Sequence, residues 1–476
     1  KLNAILNVLR SIVAIIFPII TYPYAARVIG VDNIGRVNYV ASIISYFMIL
    51  TVFGIDTYGV RECAKVRDNS GDVSALASHL WSFELLAALV SLIGLGLVSV
   101  IYIPLHSYAP VILIQSLSVL FTAFGADWIN VVFEDYVYIT IRGIAINIIN
   151  MAVLFIFVHK PEDYLVYAFL NISSSVFIGL FNFFYIRRFV RLRITRIPDI
   201  RGLVHVLMPF LVNDLSIAIY VGADVTILGI IKGDYYVGIY SAAVKIYTSV
   251  KTVFIAIFSV TLAQLSAHAS AGKMDEFKKV VRDVVSVFAL LAFPAATGLI
   301  LYAEPIMLLI AGTEYIEGAM SLKLLAVALV FAAFGGIATR CVNIPLGYER
   351  VNTFATITAA ISNTVLNIPM IMLFNDRGAA FATILAEAGV LMICIVNLIK
   401  QGYRIEAVID LRNLRDVLVG VIAIALVYVI CITVFKSYAV RAVVGIGASV
   451  VLYLMVLLLL GNDIVSDAIK KVLKRK

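Results

Sequence analysis

A small set of ionisable side chains inside long apolar stretches carries whatever chemistry this chain performs. They are Arg10, Arg27, Asp56, Glu84, Asp127, Asp214, Asp224, Lys245, Lys251, Arg340 and Glu387. A charge at membrane depth is costly and normally faces a partner or a water-filled cavity. Arg27, Asp56, Glu84, Asp127 and Arg340 sit near the ends of their stretches, where side chains can snorkel to the interface. Lys251, Asp214 and Glu387 fall near mid-stretch, where that escape fails. Lys245 and Lys251 are six residues apart, about 120° around one helix, and could border one wide cavity. Two cations there suit an anionic ligand, with phosphate or pyrophosphate the natural candidate. An exporter of organic cations would be expected to present carboxylates and aromatics instead. A packing salt bridge, with Asp214 or Glu387 neutralising Lys251, is the competing structural reading. Arg10, Arg27, Lys245 and Lys251 are therefore the candidate substrate-binding cations. Asp56, Asp214, Asp224 and Glu387 are the candidates for balancing charge or coupling to ions.

No catalytic constellation accompanies them. His79, His106, His159, His205 and His268 are scattered, and no G-x-S-x-G, H-E-x-x-H or phosphate-loop pattern occurs. Cys63, Cys341, Cys394 and Cys431 lie far apart with no C-x-x-C, so no disulfide framework, zinc site or redox pair is expected. We expect no enzyme activity, no cofactor and no metal.

The elements that must position these groups are fourteen apolar stretches: 4–28, 37–60, 78–103, 109–132, 143–158, 164–186, 203–228, 236–262, 284–303, 319–340, 352–374, 378–399, 416–435 and 442–461. A helix needs about 20 residues to cross roughly 30 Å of hydrocarbon. The chain has 476 residues, 62% hydrophobic and 14% charged, which leaves no length for a folded soluble domain. The first stretch has no small-residue cleavage site, so no removable signal peptide is expected. The start at Lys1 suggests that a short initiating segment precedes it.

Alternate loops differ in basicity. One set, with the termini, holds 27 of the 37 Lys and Arg residues, including Arg187, Arg188, Arg191, Arg193, Arg404 and the tail Lys474, Arg475, Lys476. The positive-inside rule places that set, and both termini, in the cytoplasm, which requires an even number of spans. The net charge of +8 is then a topology and headgroup signal, and nucleic acid is not an expected partner.

The sequence also repeats. Phe121-Thr-Ala-Phe-Gly125 returns as Phe331-Ala-Ala-Phe-Gly335. Ile29-Gly30 and Gly35-x-x-x-Tyr39-x-Ala41 return as Leu228-Gly229 and Gly238-x-Tyr240-x-x-Ala243. Asn182 and Asn397 close corresponding spans. Spans one to six and seven to twelve then read as duplicated halves around a central cavity, which is a transporter architecture. Pro18, Pro23, Pro209, Pro294 and Pro369 fall inside spans and bend them, either as hinges or as static kinks. Tyr22, Tyr24, Tyr102, Tyr108, Tyr136 and Tyr138 lie at span ends, as an interfacial belt requires.

The run Pro23-Tyr-Ala-Ala-Arg27-Val-Ile-Gly30-Val-Asp-Asn-Ile-Gly35 resembles the signature of oligosaccharide-unit flippases. These form the Wzx-type branch of the multidrug/oligosaccharidyl-lipid/polysaccharide (MOP) exporter superfamily. Phe53-Gly54-Ile-Asp56 with Arg61-Glu62-x-Ala64, and Asp127-Trp128 with Phe133-Glu134-Asp135-Tyr136, are similar to later segments of that family. So are Asp224-x-x-x-Leu228-Gly229 and Val237-Gly238-Ile-Tyr240-Ser-Ala-Ala243-Val-Lys245. Many members have Gln-Gly where this chain has Val131-Val132, and no role is carried over for that pair. The resemblance implies fourteen helices in two six-helix lobes, and a saccharide linked to undecaprenyl phosphate or pyrophosphate as substrate.

The sequence thus predicts an all-α integral membrane protein of the MATE-like MOP fold. Residues 1–202 would form one lobe, 203–403 the second, and 404–476 two further helices with a basic tail. It would be a monomer in the cytoplasmic membrane, in contact with membrane lipids and open to coupling with protons or sodium. It would flip lipid-linked oligosaccharides to the outer leaflet by alternating access. The competing functions are drug export, flipping of a peptidoglycan lipid precursor, and membrane glycosyl transfer or polymerisation. The last usually needs a large outer loop, and none is present here.

Overall fold

The computed structural model describes residues 17–403 and 408–473. Lys1, Arg10, the first part of the first stretch, Arg404, Lys474, Arg475 and Lys476 lie outside the described residues. Within them the chain is helical, with turns and no strand. Packing divides it into two compact units, Lys1–Gly238 and Ile239–Lys476. The first contains α1 (17–29), α2 (Val31–Val52), α3 (Ile55–Lys65), α4 (Ser70–Ile101), α5 (Ala109–Gly125), α6 (Trp128–Val132), α7 (Tyr136–Phe157), α8 (Tyr164–Tyr185) and α9 (Ile200–Lys232). Helix α10 (Asp234–Ser270) begins at its end and continues through the second unit. There follow α11 (Met274–Leu301), α12 (Ala303–Ile310), α13 (Ala319–Gly336), α14 (Glu349–Phe374), α15 (Asp376–Lys400), α16 (Leu411–Val434), α17 (Tyr438–Leu459) and α18 (Asp463–Leu473).

Twelve helical segments among the described residues are long and apolar enough to cross a membrane. They coincide with expected stretches two to seven and nine to fourteen. The other two are the first, described only from residue 17, and the eighth, which falls on the 37-residue α10. Large apolar side chains such as Leu89, Val90, Ile93 and Leu97 point outward, as lipid contact demands of a helix whose backbone bonds are satisfied internally. The chain is a multi-pass membrane protein.

Lipid gives no hydrophobic drive for helix association, so close packing through small residues must supply it. In the first unit, a Cβ on Gly125 would lie 2.6 Å from the Cα of Gly179, so α5 and α8 touch backbone to backbone. A Cβ on Gly179 would overlap the carbonyl oxygen of Phe121. Gly35 seats against the Asp234 carbonyl, Gly238 against that of Val31, and Gly229 against the Tyr39 ring. The two glycine motifs of the repeat therefore pack on each other. These contacts, with Gly54 receiving Phe210, group α9 with the helices before it. Gly54 also takes a left-handed φ of 77°, where the second expected stretch breaks between α2 and α3.

In the second unit α13 packs on α15, and α14 and α15 form a hairpin closed where Gly378 meets the Met370 carbonyl. Gly335, counterpart of Gly125, has more room, with Leu391 Cβ at 3.9 Å. Tyr453 donates to the Leu290 carbonyl at 2.9 Å, and Tyr302 meets Ser449 at 3.2 Å, binding α17 to α11 and to the junction of α11 and α12. Pro209, Pro294 and Pro369 lie inside α9, α11 and α14, which continue through them. A π-helical turn over Ile337–Asn343 ends α13.

Gly179→Ala should cost about 1–3 kcal/mol through overpacking. Gly96→Ala, with nothing within 4 Å of the added methyl, should be neutral or slightly stabilising. Thermal unfolding in detergent measures both, and equal melting temperatures would contradict the α5–α8 crossing.

Candidate functional site

Helix α10 presents two polar features. Ser241, Lys245, Thr248, Ser249 and Thr252 recur at the spacing that places side chains on one helix face. Lys245 is exposed there and has no ion-pair partner among the described residues. The Thr248, Ser249 and Thr252 hydroxyls bond back to the carbonyls of Val244, Lys245 and Thr248 at 2.8, 2.7 and 2.8 Å. That arrangement lets hydroxyls sit within a membrane helix. It gives nothing to the ammonium of Lys245, which needs water or an anion.

Beside this stripe lies a buried face carrying Tyr247, Lys251, Phe254 and Phe258. Phe258 stacks on Phe288 of α11, centroids 4.6 Å apart, and fills the space left by Gly336 of α13. Lys251 Nζ reaches Glu387 Oε1 of α15 at 2.6 Å. The Tyr247 hydroxyl donates to the same oxygen at 3.0 Å, and Lys251 Nζ donates to Tyr247 Oη at 3.2 Å. The pair is asymmetric: 29% of the Lys251 side chain is exposed, against 8% of Glu387. Lys251 is the more accessible member of the pair. Of the two carboxylates expected to neutralise Lys251, Glu387 does so; Asp214 lies on α9 and accepts from its neighbour Asn213 at 3.2 Å.

The remaining candidates are dispersed. Arg10 lies outside the described residues. Arg27 is exposed at the end of α1. Asp56 is exposed in the first turn of α3, in the field of Asp127 and Asp214. Asp224 is buried on α9, where its carboxylate accepts the Val225 N–H at 2.8 Å.

Several polar groups escaped sequence reasoning. Tyr247 lies one helical turn before Lys251, and i to i+4 spacing is the signal that would have found it. In the first unit Arg142, buried on α7, binds Asp127 at 2.8 Å and Asn182 of α8 at 3.1 Å. Asn182 in turn donates to the Gly125 carbonyl, beside the α5–α8 crossing. Arg36 meets Asp234 at 3.4 Å, and Tyr108 donates to the same carboxylate at 2.7 Å. Glu134, between α6 and α7, holds the pKa of the Arg67 guanidinium, in the loop after α3, above its ordinary value through a hydrogen bond. No cluster of three metal-ligating side chains occurs among the described residues.

Comparison with known proteins places this geometry. Across 98% of this chain and 99% of the other, the fold matches the lipid II flippase MurJ in an inward closed conformation, with TM-score 0.74 and 16% identity. It also matches an inward-facing multidrug resistance MATE family transporter of the MOP superfamily, with TM-score 0.60 and 14% identity over 83% and 98% of the two chains. The fold is therefore the one these two proteins share. Residues 2–263 match the family described as polysaccharide biosynthesis protein, and the chain belongs to that family. It is 19% identical over 376 residues to a putative O-antigen transporter of Shigella dysenteriae, covering 78% of this chain and 93% of that one.

Removing one partner of a buried ion pair leaves an uncompensated charge. Lys251→Met and Glu387→Gln should each cost about 3 kcal/mol, the low end of that range because Lys251 is partly exposed. The double variant should lose less than the sum in thermal unfolding. Strict additivity would mean the two groups do not interact.

Proposed function

We propose that the protein is a flippase that carries a polyprenyl-(pyro)phosphate-linked oligosaccharide from the cytoplasmic to the outer leaflet by alternating access through a cationic cavity. The observation that carries this reading is a pair of lysines on α10, Lys245 exposed without an ion pair among the described residues and Lys251 partly exposed beside a buried counter-ion on the apolar helix α15. Such groups suit an anionic phosphate headgroup. The family and the O-antigen transporter relative support a saccharide cargo, and MurJ, of like fold, is named a lipid flippase. In this reading the headgroup and sugars enter the cavity while an undecaprenyl tail stays in lipid. Arg10 and Arg27 add further phosphate contacts. Asp56, Asp214 and Asp224 balance charge or couple transport to protons or sodium.

The proposal includes fourteen spans, with α1 and α10 supplying the first and eighth. It includes two six-helix lobes by repeat (1–202 and 203–403) with 404–476 appended, and a monomer in the cytoplasmic membrane with both ends in the cytoplasm. The protein acts as a transporter, not an enzyme. The likeness to MurJ favours one second reading, a peptidoglycan lipid precursor as cargo; depletion would then be lethal. Drug export would instead confer resistance to cationic dyes.

Lys251→Ala, expressed at wild-type level in the membrane, should lower polymer export in a flippase-null strain at least about tenfold, the worth of one charged hydrogen bond. Lys245→Ala should reduce it less. Normal export by Lys251→Ala would overturn this assignment.

A further inference from the structure

Resting on the reading of Lys251 as a phosphate contact, we propose that Glu387 and Tyr247 make ligand binding consume one proton. The incoming phosphate takes Lys251 from Glu387, and the released carboxylate takes up a proton and stays hydrogen-bonded to Tyr247.

Three features lead there. Access is one-sided, since 29% of the Lys251 side chain is exposed against 8% of that of Glu387. An anion reaching this site therefore meets Lys251 Nζ and competes with Glu387 for it. The carboxylate has no other cation to turn to. Its hydrogen bonds come from Lys251 and Tyr247 alone among the described residues. A buried carboxylate that loses its cation is unstable as an anion and neutralises instead. Tyr247 is already in place, 3.0 Å from Glu387 Oε1. A phenol can donate to or accept from a carboxylic acid, so it serves both forms.

The surrounding charges leave this exchange to the pair. On α10 the nearest other cation is Lys245, out on the polar stripe. Helix α13 brings Lys323, held by Glu304 at 3.4 Å. The π turn brings Arg340, whose guanidinium lies 6.0 Å from the Phe258 ring centroid. Helix α14 carries Glu349 and Arg350 in its first turn, and α15 carries Asp376, Arg377 and Lys400 at its ends.

The balance is simple. Before binding, the ammonium and carboxylate sum to zero. Afterwards the ammonium faces one phosphate charge, and one proton from water has become the O–H of Glu387. No covalent bond other than that O–H forms, and release of the ligand reverses the step. A second phosphate charge falls to Lys245, so a diphosphate binds more tightly than a monophosphate.

The test is calorimetry on the full-length detergent-solubilised protein, with farnesyl diphosphate as probe. Titration near pH 7 in two buffers of different ionisation heat counts protons taken up per probe bound. Wild type should take up close to one proton more than Glu387→Gln, which cancels any contribution of the probe itself. The Gln variant should also bind at least tenfold tighter at pH 8, because its competitor is gone. Tyr247→Phe guards against a misfolded Glu387 variant: it should still bind through Lys251, with its proton uptake displaced along the pH axis. Lys251-dependent binding with equal proton counts in wild type and Glu387→Gln would sink the exchange alone. Absent binding, or binding indifferent to Lys251→Met, would sink the underlying phosphate reading.

Discussion

A lysine cannot remain in hydrocarbon without a counter-charge or water, and the second unit is arranged around that constraint. Lys251 draws Glu387 from α15 to 2.6 Å and so fixes the register of α10 against α15. Two turns further on, Phe258 lodges between Phe288 and Gly336 and fixes α10 against α11 and α13. The polar stripe of α10 takes no part in those contacts. It carries Lys245 and a line of hydroxyls, and the ammonium requires water or an anion there. Packing and the proposed transport chemistry would thus use two faces of one helix.

The first unit meets the same constraint differently. Arg142 is buried against Asp127, Asn182 and the Tyr138 ring, with its guanidinium 4.9 Å from the ring centroid. There the cation is the buried member, and 42% of the Asp127 side chain is exposed. The network sits beside the backbone contact of Gly125 and Gly179, so polar bonding and close packing reinforce one crossing.

Much of the fold was legible because lipid imposes a crude code. Long apolar stretches are needed to span the bilayer, so stretches two to seven and nine to fourteen could be placed from hydropathy alone. Two breaks were not legible. The turns at Gly54 and at Ala126, both with left-handed φ, lie inside stretches that read as continuous. Hydropathy averages over a single residue's backbone angle. The repeat was visible as glycine spacing, but not that Gly35 and Gly238 pack against the opposing motif, because sequence shows where small residues occur and not what approaches them. The site divides likewise. The cost of a mid-membrane charge made Lys251 and Glu387 conspicuous, and only tertiary packing could choose Glu387 over Asp214. Tyr247 was hidden among interfacial tyrosines of the same type.

The central claim is that the polar face of α10 borders a water-accessible path. Single cysteines at Lys245, Thr248 and Thr252 can be compared with cysteines at Ile422 and Leu426 of α16, exposed by 61% and 58% as lipid-facing residues. The native cysteines are all buried, which keeps the background low. Labelling of membrane vesicles with a charged maleimide should modify the α10 positions quickly and the α16 positions slowly. Equal protection of both sets would place Lys245 against lipid or dry protein and contradict the account.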